Sequence, residues 1–287
     1  MDALSVSGLS KSYPGFRLSD VSFSLPPGAI MGLVGANGAG KTTIIKLILN
    51  LVRADSGSVR VFGHDAVADE KAAKARIGFV HEAPRMVEDA RLRDIAASTA
   101  PFYARWDNGR FRALMEEFGL PPEKKFKALS HGMKMKFSLA LALAHGADLL
   151  VLDEPTSGLD PVFRRELLER LSAVIQDEGK SVLFSTHITS DLEATADFIT
   201  MVRGGRIIFS LPKDEIRETW AVVRGGSDLA DQALRPHFLA VRERPHSFEA
   251  LTSDVQAIRP VLPEGAMAEK ASLEDIMLFL EQETPDA

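Results

Sequence analysis

Gly35-Ala36-Asn37-Gly38-Ala39-Gly40-Lys41-Thr42 is the stretch on which the fold turns. It matches the pattern G-x-x-x-x-G-K-[ST] of a phosphate-binding loop. Small residues let the backbone wrap closely around phosphate oxygens, so several N–H groups point inward. On its amino side stands Ile30-Met31-Gly32-Leu33-Val34, too short for a helix and apolar on both faces. That run predicts a central strand with both faces covered. On its carboxyl side, Thr43 to Leu51 predicts an apolar-rich helix. Strand, loop and helix are the context the motif requires, and the helix adds the positive end of its dipole. Lys41 offers a cation to the β- and γ-phosphates, and Thr42 offers a hydroxyl to Mg²⁺. Gly35, Asn37, Gly38, Gly40 and Thr43 complete the candidate nucleotide contacts.

A phosphate loop needs an acidic partner at the end of a neighbouring strand. Leu149-Leu150-Val151-Leu152 runs straight into Asp153-Glu154. Asp153 is placed to hold Mg²⁺, directly or through water. Glu154 is placed to polarise the water that attacks the γ-phosphate. His187 follows the strand Ser181 to Ser185, at the sheet edge where open α/β sheets bind ligands, and is placed to donate to the γ-phosphate and orient the attacking water. Away from a phosphate loop, Asp-Glu would read as solvated acids and His187 as a packed or surface ring.

The remaining pattern frames this centre. Leu4, Val6 and Leu9, and again Val21, Phe23 and Leu25, alternate with polar residues and predict antiparallel strands. Val59 to Phe62 and Ile77 to Val80 predict further strands. Residues 84–127 are charged and helical in character, broken at Pro121-Pro122, and open an inserted helical subdomain of about 84–145. Pro161 suits a first helical turn, with Phe163, Leu167, Leu171 and Val174 on one face. Met201 to Phe209 reads as a hairpin turning at Gly204-Gly205. The expected fold is α/β with a mainly parallel sheet, an antiparallel N-terminal part and a small appendage. The expected domains are residues 1–210 and 211–287. The pattern weakens after about Leu211.

The chain has 287 residues, 45% hydrophobic and 26% charged, ordinary for a globular protein. A net charge of -6 argues against broad nucleic-acid binding, so no nucleic-acid partner is expected. With no cysteine, disulfides and thiolate metal sites are excluded. The N-terminus lacks the basic start and apolar run of a signal peptide. No stretch approaches the roughly 18 apolar residues of a membrane span, so any link to a membrane runs through a partner.

Leu129-Ser130-His131-Gly132-Met133, shortly before Asp153-Glu154, resembles the L-S-G-G-Q signature of the ABC ATPase family. Ser130 and Gly132 are kept; His131 replaces a glycine and Met133 a glutamine. Ser130 is also a good cap for the helix that starts near Gly132. The form L-S-x-G-M resembles signatures of subgroups handling drugs, antibiotic peptides or ABC-2-type exports. Tyr13 occupies the place of the family's adenine-stacking aromatic, or else makes only ordinary packing contacts. Ile77 to Glu82 resembles the segment ending in the Q-loop glutamine. Glu82 takes that place and can meet Mg²⁺ or water, but cannot donate as an amide does. Ser157-Gly158-Leu159-Asp160 resembles the D-loop, and His187 the switch histidine. The resemblance runs through residues 2–210 in continuous order. Ser272 to Leu278 resembles a short C-terminal helix of ABC-2-type subunits.

The resemblance implies a P-loop NTPase core that binds and hydrolyses ATP with Mg²⁺. It also implies two ATPase subunits, identical or paralogous, packed head to tail. Ser130 and Gly132 of one then close over ATP held by the phosphate loop of the other. An integral membrane permease is the implied partner, with the chain peripheral at the cytoplasmic face, most similar to exporters. A soluble ABC protein acting on ribosomes or DNA is the rival reading. It is disfavoured by a single cassette and by the absence of room for a long coiled coil between phosphate loop and signature. A non-hydrolysing nucleotide sensor is disfavoured by the presence of Glu154 and His187.

Overall fold

The computed structural model describes residues 1–176, 179–226 and 234–282. The chain divides into two compact units, Met1–Ser210 and Leu211–Ala287. The first begins with β1 (Leu4–Tyr13) and β2 (Phe16–Leu25), an antiparallel pair whose alternating burial gives one core face. β3 (Ile30–Val34) follows, buried at all five positions. It leads through the phosphate loop into α1 (Lys41–Ile48). That helix begins two residues earlier than the apolar pattern predicts, because the loop itself supplies its first turn.

β4 (Ser56–Val61) and β5 (His64–Asp65) complete a sheet in the order β2-β1-β4-β5. After α2 (Glu70–Ala75) comes β6 (Ile77–Val80), then the helices α3 (Leu92–Thr99), α4 (Asn108–Glu117) and α5 (His131–Ala144). Residues 84–91, read as the start of a helical segment, hold no helix. α5 is apolar nearly all round, and Met135, Phe137, Leu139 and Ala140 are among its buried residues. The chain then runs through β7 (Leu149–Leu152), α6 (Pro161–Val174), β8 (Ser181–Thr186), α7 (Thr189–Thr195), β9 (Phe198–Arg203) and β10 (Arg206–Pro212).

The second sheet has the order β10-β9-β3-β8-β7-β6. β3 pairs in parallel with both β8 and β9, β8 with β7, and β7 with β6. Parallel pairing puts the carboxyl ends of β3, β8, β7 and β6 on one edge. The phosphate loop, His187, Asp153-Glu154 and Glu82 all leave from that edge, in the crevice where such sheets bind ligands.

An ion-pair cluster pins the β6–β7 margin. Arg105 meets Asp148 through two bonds of 2.9 Å, and Arg76 Nε adds one of 2.6 Å. Burial works to raise the Asp148 carboxyl, but the bonds from Arg105 and Arg76 outweigh it and hold it below the ordinary value. Nearby, burial pushes His145 down to about 4, so its ring stays neutral. That ring stacks on Tyr103 at 4.0 Å.

The second unit holds α8 (Lys213–Thr219), β11 (Ala221–Gly225), β12 (Ala240–Arg244), β13 (Ser247–Thr252), α9 (Val255–Ile258), β14 (Met267–Lys270) and α10 (Leu273–Gln282). Its strands form an antiparallel sheet in the order β12-β13-β11-β14. Val223, Leu234, Phe248, Ala250 and Ile258 form its small core. Arg224 spans two strands, bonding Glu249 at 3.0 Å and also Glu269.

One glycine in the first unit tests how tightly the central sheet is covered. A Cβ on Gly32 of β3 would lie 1.9 Å from Leu192 Cδ2 and 3.7 Å from Ala196 Cβ. Gly32→Ala is expected to destabilise the chain by about 1–3 kcal/mol through overpacking. Urea unfolding checks this; an unchanged midpoint would show that Leu192 moves aside freely.

Candidate functional site

The phosphate loop is held by close backbone packing. A Cβ on Gly35 would lie 2.2 Å from the Val202 carbonyl oxygen, so no side chain fits there. Gly40, the residue before α1, has φ 115, a left-handed value that suits glycine. It also sits against Phe16 and Leu18 of β2. Gly205, in the turn between β9 and β10, closes the loop from outside. Its N–H donates to the Ala39 carbonyl at 3.0 Å, and its carbonyl accepts from the Ser19 N–H at 2.8 Å. The start of α1 has no side-chain cap and no acidic residue in its first turn. Its first N–H groups therefore face the loop without a protein anion, which is the arrangement of a phosphate site.

Lys41 is 5% exposed. A buried ammonium needs partners. Its Nζ donates to the Gly35 carbonyl at 2.7 Å and the Ala36 carbonyl at 3.2 Å, and lies 3.2 Å from Glu154 Oε1. The other Glu154 oxygen, Oε2, accepts from His187 Nδ1 at 2.8 Å. Glu154 thus stands between two cationic or donor groups, one on each oxygen. Its backbone is left-handed at φ 46, uncommon for a non-glycine residue.

Ser185, near the end of β8, ties the two acids together. Its hydroxyl donates to Asp153 Oδ1 at 2.7 Å and accepts from the Glu154 N–H at 2.8 Å. The Thr42 hydroxyl donates to the same Asp153 oxygen at 3.2 Å. Thr42 and Asp153, with Glu82 on the cleft wall, suit a Mg²⁺ ion. That ion takes one or two protein oxygens beside phosphate oxygens and waters, rather than a closed cage. Among the described residues no cluster of three or more His, Cys, Asp or Glu forms such a cage.

These groups line a cleft of about 650 Å³. Ala36, Asn37, Gly38, Gly40, Lys41, Thr42 and Thr43 form its floor. Glu82, Glu154, Ser157 and His187 form one wall, and Gly15 and Phe16 another. Gly35 and Asp153 act from just behind, through their bonds to Lys41 and Thr42.

Besides Gly35 and Asp153, three residues singled out in the sequence are not on that lining. Tyr13 is 40% exposed, with Lys11 Nζ 5.9 Å from its ring centroid. Its hairpin partner Phe16 is the aromatic that faces the cleft. Ser130 and Gly132 lie at the start of α5. The Ser130 hydroxyl accepts from the Met133 N–H at 3.3 Å, so its capping role is present in the fold.

Phe16 and Ser185 escaped the sequence reading. An aromatic two residues past Pro14 and a serine closing an apolar strand are the faint signals they leave. A third group left no signal. Asp191, 1% exposed, accepts from the Thr156 hydroxyl and from Arg164 Nε, both at 2.6 Å. It fastens the loop after β7 to α6 and α7.

Ser185→Ala removes one donor from Asp153 and leaves the Glu154 N–H without its acceptor. The expected cost is about 1–3 kcal/mol, the penalty for a buried unsatisfied group. Chemical denaturation of the variant measures it, and an unchanged stability would mean that water replaces the hydroxyl.

The sequence profile described as ABC transporter matches residues 18–157. The bacitracin transport ATP-binding protein BcrA of Bacillus licheniformis is 30% identical, over 73% of this chain and 70% of its own length. The daunorubicin/doxorubicin resistance ATP-binding protein DrrA of Streptomyces peucetius is 33% identical, over 76% and 67%. The Nod factor export ATP-binding protein I of Rhizobium johnstonii is 34% identical, over 72% and 68%. Among solved structures, an ATP-binding subunit of an ABC transporter superposes with a TM-score of 0.69 at 29% identity, covering 75% of this chain and 92% of that one. The cbiO1 protein of Clostridium perfringens shares the fold, with a TM-score of 0.65, 22% identity and coverage of 75% and 90%. The fold, the phosphate loop and these relatives agree: the chain belongs to the ATP-binding proteins of the ABC transporter family.

Proposed function

We propose that this chain binds Mg-ATP in the cleft, hydrolyses it, and uses the cycle to drive a separate membrane permease, as an exporter. The observation that carries the reading is the row Lys41–Glu154–His187, running from the cleft floor onto one wall and joined by contacts of 3.2 and 2.8 Å.

The residue roles follow from that row. Loop N–H groups and the start of α1 bind the phosphates, and Lys41 balances their charge. Thr42 and Asp153 hold Mg²⁺, assisted by Glu82, and the ion supplies neutralisation of the phosphate charge. Glu154 accepts the proton of the attacking water as its oxygen bonds to the γ-phosphorus and the bond to the ADP oxygen breaks. His187 orients the Glu154 carboxylate through Oε2. Tyr13 and Phe16, paired across the β1–β2 turn, are the aromatic groups available to the base. Catalysis here is positioning plus electrostatics rather than covalent chemistry.

Ser130 and Gly132 lie off the lining of their own cleft. That supports the head-to-tail pairing of two ATPase subunits, in which they close over ATP held by the partner. A groove of about 740 Å³ beside Glu82 supports the permease as second partner. Leu51, Phe79, Pro84, Met86 and Leu141 give it an apolar surface. Among the described residues no helix is long and apolar enough to cross a membrane. A permease would therefore hold the chain at the cytoplasmic face. The export direction rests on the relatives named for bacitracin transport, daunorubicin resistance and Nod factor export. Residues 1–210 would form the motor and 211–287 an accessory domain.

Glu154→Gln is expected to lower the turnover of ATP roughly 10²–10⁴-fold, the usual worth of a general base. With Mg-ATP the same variant should sediment as a dimer. Near-normal turnover would remove Glu154 from its role, and a strict monomer at micromolar concentration would count against the pairing. A tagged Glu154→Gln chain, drawn from gently solubilised native membranes with Mg-ATP, should bring down a stoichiometric polytopic membrane protein. Recovery only from the soluble fraction, with ribosomes or DNA, would sink the transporter reading and leave the ATPase intact.

A further inference from the structure

The start of α5 touches the loop that follows β7 in the same chain. His131 Nε2 lies 3.3 Å from the Ser157 carbonyl oxygen. A carbonyl only accepts, so this nitrogen carries the proton and donates. The ring's Cδ2 lies 4.0 Å from where a Cβ on Gly158 would stand, and Gly158 is left-handed at φ 68. One residue on, a Cβ on Gly132 would sit 3.3 Å from Phe163 Cδ1 and 3.8 Å from Leu159 Cδ2. His131 and Gly132 therefore both lie along the segment 157–163. One end of that segment, Ser157, lines the nucleotide cleft. The other end is fixed where Asp160 caps α6 by accepting from the Val162 and Phe163 N–H groups. The family signature carries a glycine where this chain has His131, and a glycine has no side chain to make the bond.

We propose that His131 is a positioning residue. Its ring ties the first turn of α5 to the main chain of Ser157, and so holds the Ser130–Gly132 face in register with the chain's own nucleotide cleft. The inference rests on the reading that Ser130 and Gly132 serve a nucleotide held by a second subunit. On that reading the tie links two clefts: Ser157 borders the nucleotide bound by this chain, while Ser130 and Gly132 meet the one bound by its partner. The hydrogen bond from the ring to the Ser157 carbonyl is the link's polar part, beside the close approach of Gly132 to Phe163 and Leu159. Lys41, Asp153 and Glu154 have no bond to the ring, so its loss leaves ATP binding by the phosphate loop in place.

Three variants of the full chain separate a hydrogen bond from plain packing. His131→Gln puts an amide N–H where Nε2 now lies. His131→Asn reaches only as far as Nδ1, and His131→Ala reaches nowhere. His131→Ala and His131→Asn should lower the kcat of ATP hydrolysis about two- to tenfold, the range one hydrogen bond supports. KM for ATP, the affinity for a fluorescent ATP analogue and the melting temperature should stay at wild-type values. His131→Gln should restore kcat. Wild-type turnover in the Ala and Asn variants would overturn the proposal. So would a loss in His131→Gln equal to that in His131→Asn, or a KM and melting temperature that shift along with kcat. A wild-type chain no more active than Lys41→Ala would instead bring down the ATPase reading beneath it, a result told apart by the control alone.

Discussion

The parallel ladder of β3, β8 and β7 is the constraint on which the site depends. Val34 pairs with Thr186, and Leu152 with Phe184, so neighbouring strands stop nearly level. Each then releases a chemically active residue into the same crevice. A parallel pair cannot be closed by a short turn, so every one of these strands is separated by a crossover through helical chain. Residues far apart in sequence thereby reach hydrogen-bond range, as His187 and Glu154 do.

Within that frame, Ser185 and Asp153 show how buried polarity is settled. Asp153 is 2% exposed, yet one of its oxygens accepts from two hydroxyls. Glu154 is held in an unfavourable backbone conformation, and its N–H is engaged by the same serine that serves Asp153. A strained residue persists where its surroundings over-determine it. Here the surroundings are Ser185 on the main chain, and Lys41 and His187 on the two carboxylate oxygens.

Much of this was legible in the sequence because the signals are local. A phosphate loop is eight consecutive residues, and Asp153-Glu154 closes an unmistakable apolar strand. What was not legible is what tertiary packing decides. The aromatic lining the cleft is Phe16, and nothing local distinguishes it from Tyr13; even their pairing across the hairpin puts both on one face, so the position of the phosphate loop decides. The buried group of Asp191, Thr156 and Arg164 is assembled from three elements. The sheet of the second unit was hidden for another reason. Its strands are short, and the charges Arg224, Glu249 and Arg242 interrupt three of them. Such a pattern reads as a polar connector until cross-strand partners are known.

The bonds of Gly205 bear on how the molecule comes to exist. The phosphate loop is written near the amino end, but its outer wall is the Val202 carbonyl and the Gly205 turn. β3 likewise lacks both its neighbours until β8 and β9 are made. Contacts of such long sequence separation form late and slowly, after much chain entropy has been lost. A nascent chain emerging from the ribosome therefore carries the nucleotide motif long before it carries a nucleotide site. Synthesis must pass residue 205 before the loop can be locked, which delays any productive encounter with ATP until the first unit is essentially whole.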